Sequence, residues 1–199
     1  MIDIKKINVN QEPYTLFKEK YNHALENKQK NIEAVCISSY NKVNDSVDAR
    51  MVNLKYINDT EWIFFSNYNS KKAKQFIENS SISGLFFWNE VNIQIRLKAN
   101  IFITDQKFSD FHFKGRNDHK NALAISSQQS EEIESFEEVK SNFDKALKNE
   151  DLSERPSYWG GFSFKPYYFE FWEGHSHRLN LRTSFQFSEK GWEKKILQP

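Results

Sequence analysis

Cysteine occurs once in the chain, at Cys36, so no intrachain disulfide can brace the fold and a reducing cytoplasm is the expected compartment. Glycine and proline are scarce as well, with 6 and 4 residues in 199. The glycines are scattered or, as at Gly160 and Gly161, fall inside an aromatic stretch, which excludes the Gly-rich phosphate loops that open a helix in the common nucleotide folds. No apolar run is long enough for a signal-peptide core or a membrane span. Neither sign of charge prevails: 28 basic against 27 acidic residues leave a net charge of +1, too little to gather a nucleic acid at long range. A phosphate, if one is bound, must be gripped locally by a few side chains.

Aromatic residues are plentiful at 16%. With so little Gly and Pro, that composition predicts one ordered, strand-rich domain over residues 1–199, with the stretch up to about Gln11 lacking periodicity and expected to fray. Pro13 suits the first turn of a helix whose one face carries Tyr14, Phe17, Tyr21 and Leu25. Strands are expected at Ala34–Ser39, Asp48–Tyr56, Trp62–Ser66, Ile82–Trp88 and, with the cleanest alternation, Ile93–Ile103. Ser70 is a candidate N-cap for a helix over Lys71–Asn79, and Asp105 for a short one reaching Phe113. Lys114–Ser130 has few apolar residues and no steady period, as a loop over a site would. Ile133, Phe136, Lys140, Phe143 and Leu147 mark one side of another helix. Beyond Pro156, Trp159–Phe164 and Tyr168–Trp172 read as two strands split by Pro166, and Ser184–Phe187 with Trp192–Leu197 as a closing hairpin. Six to eight antiparallel strands with peripheral helices make a mainly β barrel or sandwich.

Arg50 offers a planar fork, and Lys71 and Lys72 add charge at a helix start, where free N–H groups also favour an anion. On composition alone these are three surface cations, because lysines at a helix N-terminus oppose its dipole. His175 and His177 near Glu173 lack a clear third ligand, so no metal is assigned. Cys36, between Val35 and Ile37, is expected to be a buried, inert thiol.

Several motifs in one order change the weighting. Ala49-Arg50-Met51-Val52-Asn53-Leu54-Lys55, Phe64-Phe65-Ser66-Asn67 with Ser70-Lys71-Lys72, and Leu85-Phe86-Phe87-Trp88 closely resemble the flavin-phosphate half of the pyridoxamine 5'-phosphate oxidase family. Asn92-Ile93-Gln94-Ile95, Ser127-Gln128-Gln129-Ser130, Trp159-Gly160-Gly161-Phe162, Glu170-Phe171-Trp172, Arg178-Leu179 and Arg182 resemble its remainder. The resemblance runs from about Thr15 to the C-terminus. It implies an FMN-binding split β-barrel, homodimeric, with the cofactor at the subunit interface. Arg50, Lys71 and Lys72 would hold the FMN phosphate, Met51, Val52 and Lys55 from the same motif as Arg50 would also bind the cofactor, and Phe65 and Ser66 would line its ribityl side. Gln94 would contact the ring, Gln129 and Ser130 would complete the pocket, and Trp172 and Arg182 would arrive from the partner subunit.

The same resemblance implies oxidation of pyridoxamine or pyridoxine 5'-phosphate to pyridoxal 5'-phosphate, with dioxygen as acceptor. Lys55, Lys114 and Arg178 would face the substrate, and Arg178 and Asn180 would stand over its aromatic ring. The match departs from the family where Asp110 falls at an expected Tyr, Lys114 at an Arg, Asp118 near a Ser and Asn180 at a His; extra residues are inferred in Arg116–Asn121, and the family's N-terminal arm is expected to be absent. Those departures, with Ile82-Ser83-Gly84-Leu85, Gln129-Ser130-Glu131-Glu132 and the Leu-Gln-Pro ending, also look like the phenazine-biosynthesis branch, whose substrates are non-phosphorylated aromatics. A flavin-binding protein without oxidase activity, or a split barrel holding haem, are the further alternatives. No nucleic acid or membrane partner is expected.

Overall fold

The computed structural model describes residues 2–4 and 11–199. In chain order the elements are β1 (Asp3–Ile4), α1 (Glu12–Glu26), β2 (Ala34–Asn41), β3 (Ser46–Asn53), β4 (Tyr56–Asn58), β5 (Glu61–Asn67), α2 (Lys71–Glu78), β6 (Ser81–Trp88) and β7 (Ile93–Ile103). There follow α3 (Gln106–Lys114), α4 (Asp118–Ser126), α5 (Phe136–Asn149), β8 (Trp159–Glu173), β9 (Leu181–Ser188) and β10 (Gly191–Leu197). The expected fraying of residues 1–11 falls mostly outside the described residues. Of those described, Ile2 is buried, its N–H donates to Tyr21 Oη at 3.0 Å, and β1 pairs parallel with β4.

The strands form one sheet in the order β1-β4-β5-β8-β7-β6-β2-β3, with β9 and β10 branching from β8. Apart from β1 with β4, the pairings are antiparallel. The predicted alternation of β7 is what seats it: Ile93, Ile95, Leu97, Ala99 and Ile101 are buried, while Arg96, Lys98 and Asn100 are exposed. Helix α1 lays Tyr14, Phe17 and Tyr21 on that dry face, where Phe17 meets Trp62 edge-on at 4.5 Å and Phe86 at 5.6 Å. Burial of these large rings at close to zero exposure stabilises the fold by roughly 1.5–3 kcal/mol each.

Pro166 does not split two strands; β8 runs through it. The proline sits where β8 changes partner on one edge: β5 pairs with Trp159–Phe164 and β9 takes over at Tyr168. Having no N–H to donate, proline is tolerated at such a gap, and a register shift against Lys98 and Ala99 on β7 absorbs the irregularity. The segment expected as a loop over Lys114–Ser130 contains α4, capped by Asn117 Oδ1, which accepts from the Lys120 N–H at 3.0 Å. Alanine supplies its inward face at Ala122 and Ala124, so the helix carries little of the bulky apolar signal that marks a period. Buried Asn121 ties it down, its Nδ2 donating to Phe113 O at 3.0 Å and Leu152 O at 2.8 Å.

Three smaller expectations also change in detail. Ser70 caps α2 without a side-chain bond to the helix; its hydroxyl donates to Asn67 O at 2.7 Å. On α5, Ala146 is buried, whereas Phe136 and Ile133 are exposed. Cys36 is not buried either: Val35 and Ile37 take the core positions, and strand alternation turns the thiol to the other face.

Candidate functional site

A cleft of about 670 Å³ opens between β3, β5 and the α3–α4 region. Strand β3 alternates, with Arg50 and Val52 half-buried and Met51 and Asn53 exposed, and the chain beyond it carries Lys55 to the same cleft. Strand β5 contributes Phe65 and Ser66, the first turn of α2 contributes Lys71 and Lys72, and the segment after α4 contributes Gln129 and Ser130. Arg50, Met51, Val52, Lys55, Phe65, Ser66, Lys71, Lys72, Gln129 and Ser130, expected together from the sequence, thus line one cavity.

Its inner end is built around Lys72, which is 9% exposed. Among the described residues the hydrogen-bond acceptors of its ammonium are Ser70 Oγ at 3.2 Å and Gln129 Oε1 at 2.8 Å, both neutral. Burial, followed by Arg50, pushes its pKa down to about 8. The Gln129 oxygen also accepts from Ser66 Oγ at 2.9 Å and the Asn67 N–H at 3.4 Å, so three donors converge on one point. Arg50 stands alongside, Nη1 donating to Ser39 Oγ at 2.6 Å and Nη2 to Gln75 Oε1 at 3.1 Å; Asp48 is 3.9 Å away. Burial lowers the Arg50 pKa, with Asp48 opposing. Converging donors, an ammonium buried without a carboxylate partner among the described residues and a fixed guanidinium suit a phosphate monoester.

The outer end holds a second group of cations, and here the structure corrects the sequence. Asp110, Lys114 and Asp118, expected on the substrate side, do not line the cleft: Asp110 pairs with Arg155 Nε at 2.7 Å, and Lys114 and Asp118 are exposed. His112, Arg116 and Lys120 line it instead, with the same spacing moved along the chain. Because Ser109 and Phe113 face the core, the neighbouring face of α3 aims His112 at the cleft, and the stretch Arg116–Asn121, read as a loop from the sequence, enters α4 at Asp118. Arg116 lies over the Trp159 ring at 4.2 Å and donates from Nη2 to Lys120 O at 2.8 Å, while its buried Nη1 has no hydrogen-bond partner among the described residues. Burial lowers its pKa to about 10. Lys55 is likewise lowered, by burial first and then by Lys120 and Arg116 against the opposing pull of Glu33, 4.0 Å from it. The His112 ring stacks on Phe65 at 3.6 Å, and Tyr56 Oη lies 2.8 Å from its Nδ1.

Gln94, Trp172 and Arg182 stand apart from this cleft. They form a row across β7, β8 and β9, Gln94 opposite Trp172 and Trp172 opposite Arg182. Gln94 borders a shallow depression with Cys36, Ser38 and Arg96. Arg178 and Asn180 lie on the turn between β8 and β9: Arg178 is exposed with φ of 60°, and Asn180 Oδ1 accepts from the His175 N–H at 3.0 Å. His175 Nδ1 accepts from the His177 N–H at 3.2 Å, and among the described residues no three His, Cys, Asp or Glu side chains are grouped to hold a metal. No helix of the described residues is long and apolar enough to cross a membrane.

Residues 159–199 match the family model described as the pyridoxine 5'-phosphate oxidase C-terminal dimerisation region. Over 201 residues the chain is 31% identical to the pyridoxine/pyridoxamine 5'-phosphate oxidase of Rippkaea orientalis, covering 98% of this chain and 93% of the relative. It is 30% identical to that of Trichormus variabilis, covering 98% and 92%. Among solved structures it superposes with a TM-score of 0.89 on PhzG from Burkholderia lata in complex with tetrahydrophenazine-1-carboxylic acid, at 24% identity and covering 94% of this chain and 92% of that one. A pyridoxamine 5'-phosphate oxidase-related, FMN-binding protein from Nostoc punctiforme superposes with a TM-score of 0.76 at 14% identity, covering 92% and 97%. The fold is therefore the split β-barrel expected from the sequence.

Proposed function

Because this chain belongs to the pyridoxine/pyridoxamine 5'-phosphate oxidase family, we propose that it is an FMN-dependent oxidase converting pyridoxine or pyridoxamine 5'-phosphate to pyridoxal 5'-phosphate. In net terms the alcohol is oxidised to the aldehyde while dioxygen is reduced to hydrogen peroxide; the amine additionally consumes water and releases ammonia. The observation that carries this reading is that the cleft has two cationic ends, one around Arg50 and Lys72 and one around Lys55, Arg116 and Lys120. A bound cofactor and a bound substrate that each bear a phosphate need two such ends.

FMN, when bound, supplies the two-electron oxidant. Arg50, Lys71, Lys72 and Ser66 would hold its phosphate, with Met51, Val52, Phe65, Gln129 and Ser130 around the tail. Lys55, Arg116 and Lys120 would bind the substrate anion and fix its distance from the ring, so that protein groups orient the reacting carbon rather than exchange electrons with it. Trp172 and Arg182 do not line the cleft of their own chain, and we assign them, with Arg178 and Asn180, to the site of a second copy; Gln94 would reach the ring from the same row. The dimerisation region spans β8, β9, β10 and the turn between β8 and β9, and so contains Trp172, Arg178, Asn180 and Arg182, while Leu85 and Phe87 on the outer face of β6, which pairs with β7, are 36% and 53% exposed. That apolar exposure fits a covered interface in a homodimer.

A second reading, oxidation of a non-phosphorylated aromatic acid, draws on Asn180, which can hydrogen-bond but not titrate near neutrality. Air oxidation of both vitamer phosphates separates the two. Pyridoxal 5'-phosphate and peroxide should form from pyridoxine 5'-phosphate and only weakly from pyridoxine itself; no turnover of either phosphorylated vitamer by the flavin-loaded protein would overturn the reading.

A further inference from the structure

The outer end of the cleft contains an imidazole in a setting that ties its charge to the charge of the ligand. His112 lies in the last turn of α3, its ring 11° from parallel to Phe65 at 3.6 Å and 8° from parallel to Trp159 at 6.3 Å. Those two rings, from β5 and β8, bring no charge. Among the described residues, the charged and titratable groups facing it are Lys55, beyond β3 and with Glu33 behind it at 4.0 Å, Tyr56 on β4, and Arg116 and Lys120 around the start of α4. Tyr56 Oη, 2.8 Å from Nδ1, can donate to a neutral ring or accept from a protonated one. Nδ1 is thereby satisfied in either state, and Nε2 is the nitrogen left for a ligand in the cleft.

We propose that His112 is a specificity-determining residue, which takes up a proton when a doubly charged anion binds beside Arg116 and so selects a phosphate monoester over a carboxylate. The inference rests on the proposed placement of the substrate anion against Lys55, Arg116 and Lys120. Against these cations the imidazole stays neutral, its pKa pushed down to about 4 by burial and then by Arg116, Lys55 and Lys120. A carboxylate offsets one of the three positive charges, which leaves the imidazolium still repelled. A phosphate dianion offsets two and offers Nε2–H an anionic acceptor, a charge-assisted bond that a neutral ring makes less strongly. The proton arrives from solvent, no covalent bond changes in the ligand, and Tyr56 turns from donor to acceptor.

The test uses the FMN-loaded protein, so that the inner cations are occupied, with sulfate as a dianion that does not itself titrate near neutrality and benzoate as a monoanion. Calorimetry in buffers of different ionisation enthalpy at about pH 6, near the ordinary histidine range, should show sulfate binding with uptake approaching about one proton per site, and benzoate binding with none. In His112→Asn the uptake should vanish and the preference for sulfate over benzoate should fall roughly tenfold or more, the size of one hydrogen bond to a charged group. In the unaltered protein the imidazole resonances of His112 should titrate near 4 without sulfate and at or above about 6.5 with it. Sulfate binding with no proton uptake, or with the same uptake in His112→Asn, would overturn the role of His112 and leave the anion site standing. If neither sulfate nor pyridoxal 5'-phosphate binds, or Arg116→Ala leaves their binding unchanged, the substrate-anion placement itself falls and this inference with it.

Discussion

Glu170 grips Arg182 through two hydrogen bonds to one oxygen, Nε at 3.0 Å and Nη2 at 2.8 Å from Oε1. Its other oxygen accepts from Arg96 Nη1 at 3.1 Å and Tyr168 Oη at 3.0 Å, and the residue is 3% exposed. The carboxylate lies on the opposite face of β8 from Phe169 and Phe171, and two guanidiniums offset its desolvation there. Arg182, proposed to reach the flavin of a partner subunit, is thus aimed by a buried carboxylate on the neighbouring strand.

Removing that carboxylate leaves two arginines without their acceptor. Glu170→Ala should lose about 3–5 kcal/mol of stability, measured by denaturant unfolding. Glu170→Gln keeps the shape and part of the hydrogen bonding, so it should lose less stability but still release flavin more readily. Equal flavin retention in Glu170→Gln and the parent would refute the aiming role.

Arg50→Ala should weaken FMN binding roughly tenfold to a hundredfold, the effect of about 1.5–3 kcal/mol from hydrogen bonds to a charged group. The fold should persist, because the Arg50 side chain bonds to the neutral Ser39, Ile37 carbonyl and Gln75 at the cleft edge rather than filling the core. Fluorescence titration of the apoprotein with FMN gives the affinity, and circular dichroism checks the fold.

Lys72 gives the pH dependence. Its folded pKa is lowered to about 8 from 10.5, so between these values the unfolded chain binds the proton that the folded chain has released. The cost of burying the charge is fully present below pH 8 and is relieved as pH rises toward 10.5; on this account the stability of the FMN-free protein rises with pH over that window. FMN affinity should run the other way and fall as the ammonium loses its proton. Lys72→Arg, which stays charged, should flatten the affinity profile if it accepts the same phosphate, whereas an unchanged profile would assign the pH dependence to another group.

Much of this was legible from residue order. The alternation of β7, the core face of α1 and the cofactor side of the cleft all depend on local patterns, period or motif, that the sequence displays directly. Three features are set by longer-range geometry instead. Pro166 reads as a strand break because local rules cannot show that β5 stops and β9 starts beside it. Helix α4 is masked because its buried face is made of Ala122, Ala124 and Asn121, held by hydrogen bonds to residues far away in sequence. The displacement from Lys114 to Arg116 has the same origin: with α4 read as a loop, nothing fixed the phase of the preceding helix. The one usable signal was Phe113, whose burial at 0% exposure fixes that phase.

Arg116 should therefore matter to substrate and Lys114 should not. Arg116→Ala is expected to raise KM for pyridoxine 5'-phosphate by roughly tenfold or more, with a smaller change in kcat, since it would remove binding shared by ground and transition states. Lys114→Ala should leave both constants within error. The reverse pattern would restore the register first read from the sequence.

Gly160 tests whether the cleft wall depends on a close backbone approach. A Cβ at this position would fall on the Tyr68 hydroxyl and lie 2.7 Å from Cζ and 3.2 Å from Ser109 Oγ. Tyr68 cannot retreat easily, because its ring meets Phe162 edge-on at 5.3 Å and its hydroxyl donates to Gly161 O at 3.3 Å. Gly160→Ala should cost about 1–3 kcal/mol, the usual range for overpacking, and should loosen FMN, because Gly160 pairs with Ser66 across the β5–β8 ladder and adjoins Trp159 in the cleft wall. Adding Tyr68→Phe removes the hydroxyl but leaves the Cζ contact, so the double variant should recover only part of the lost stability. Full recovery would place the whole penalty on the hydroxyl, and no recovery would place it on the ring carbon or on Ser109.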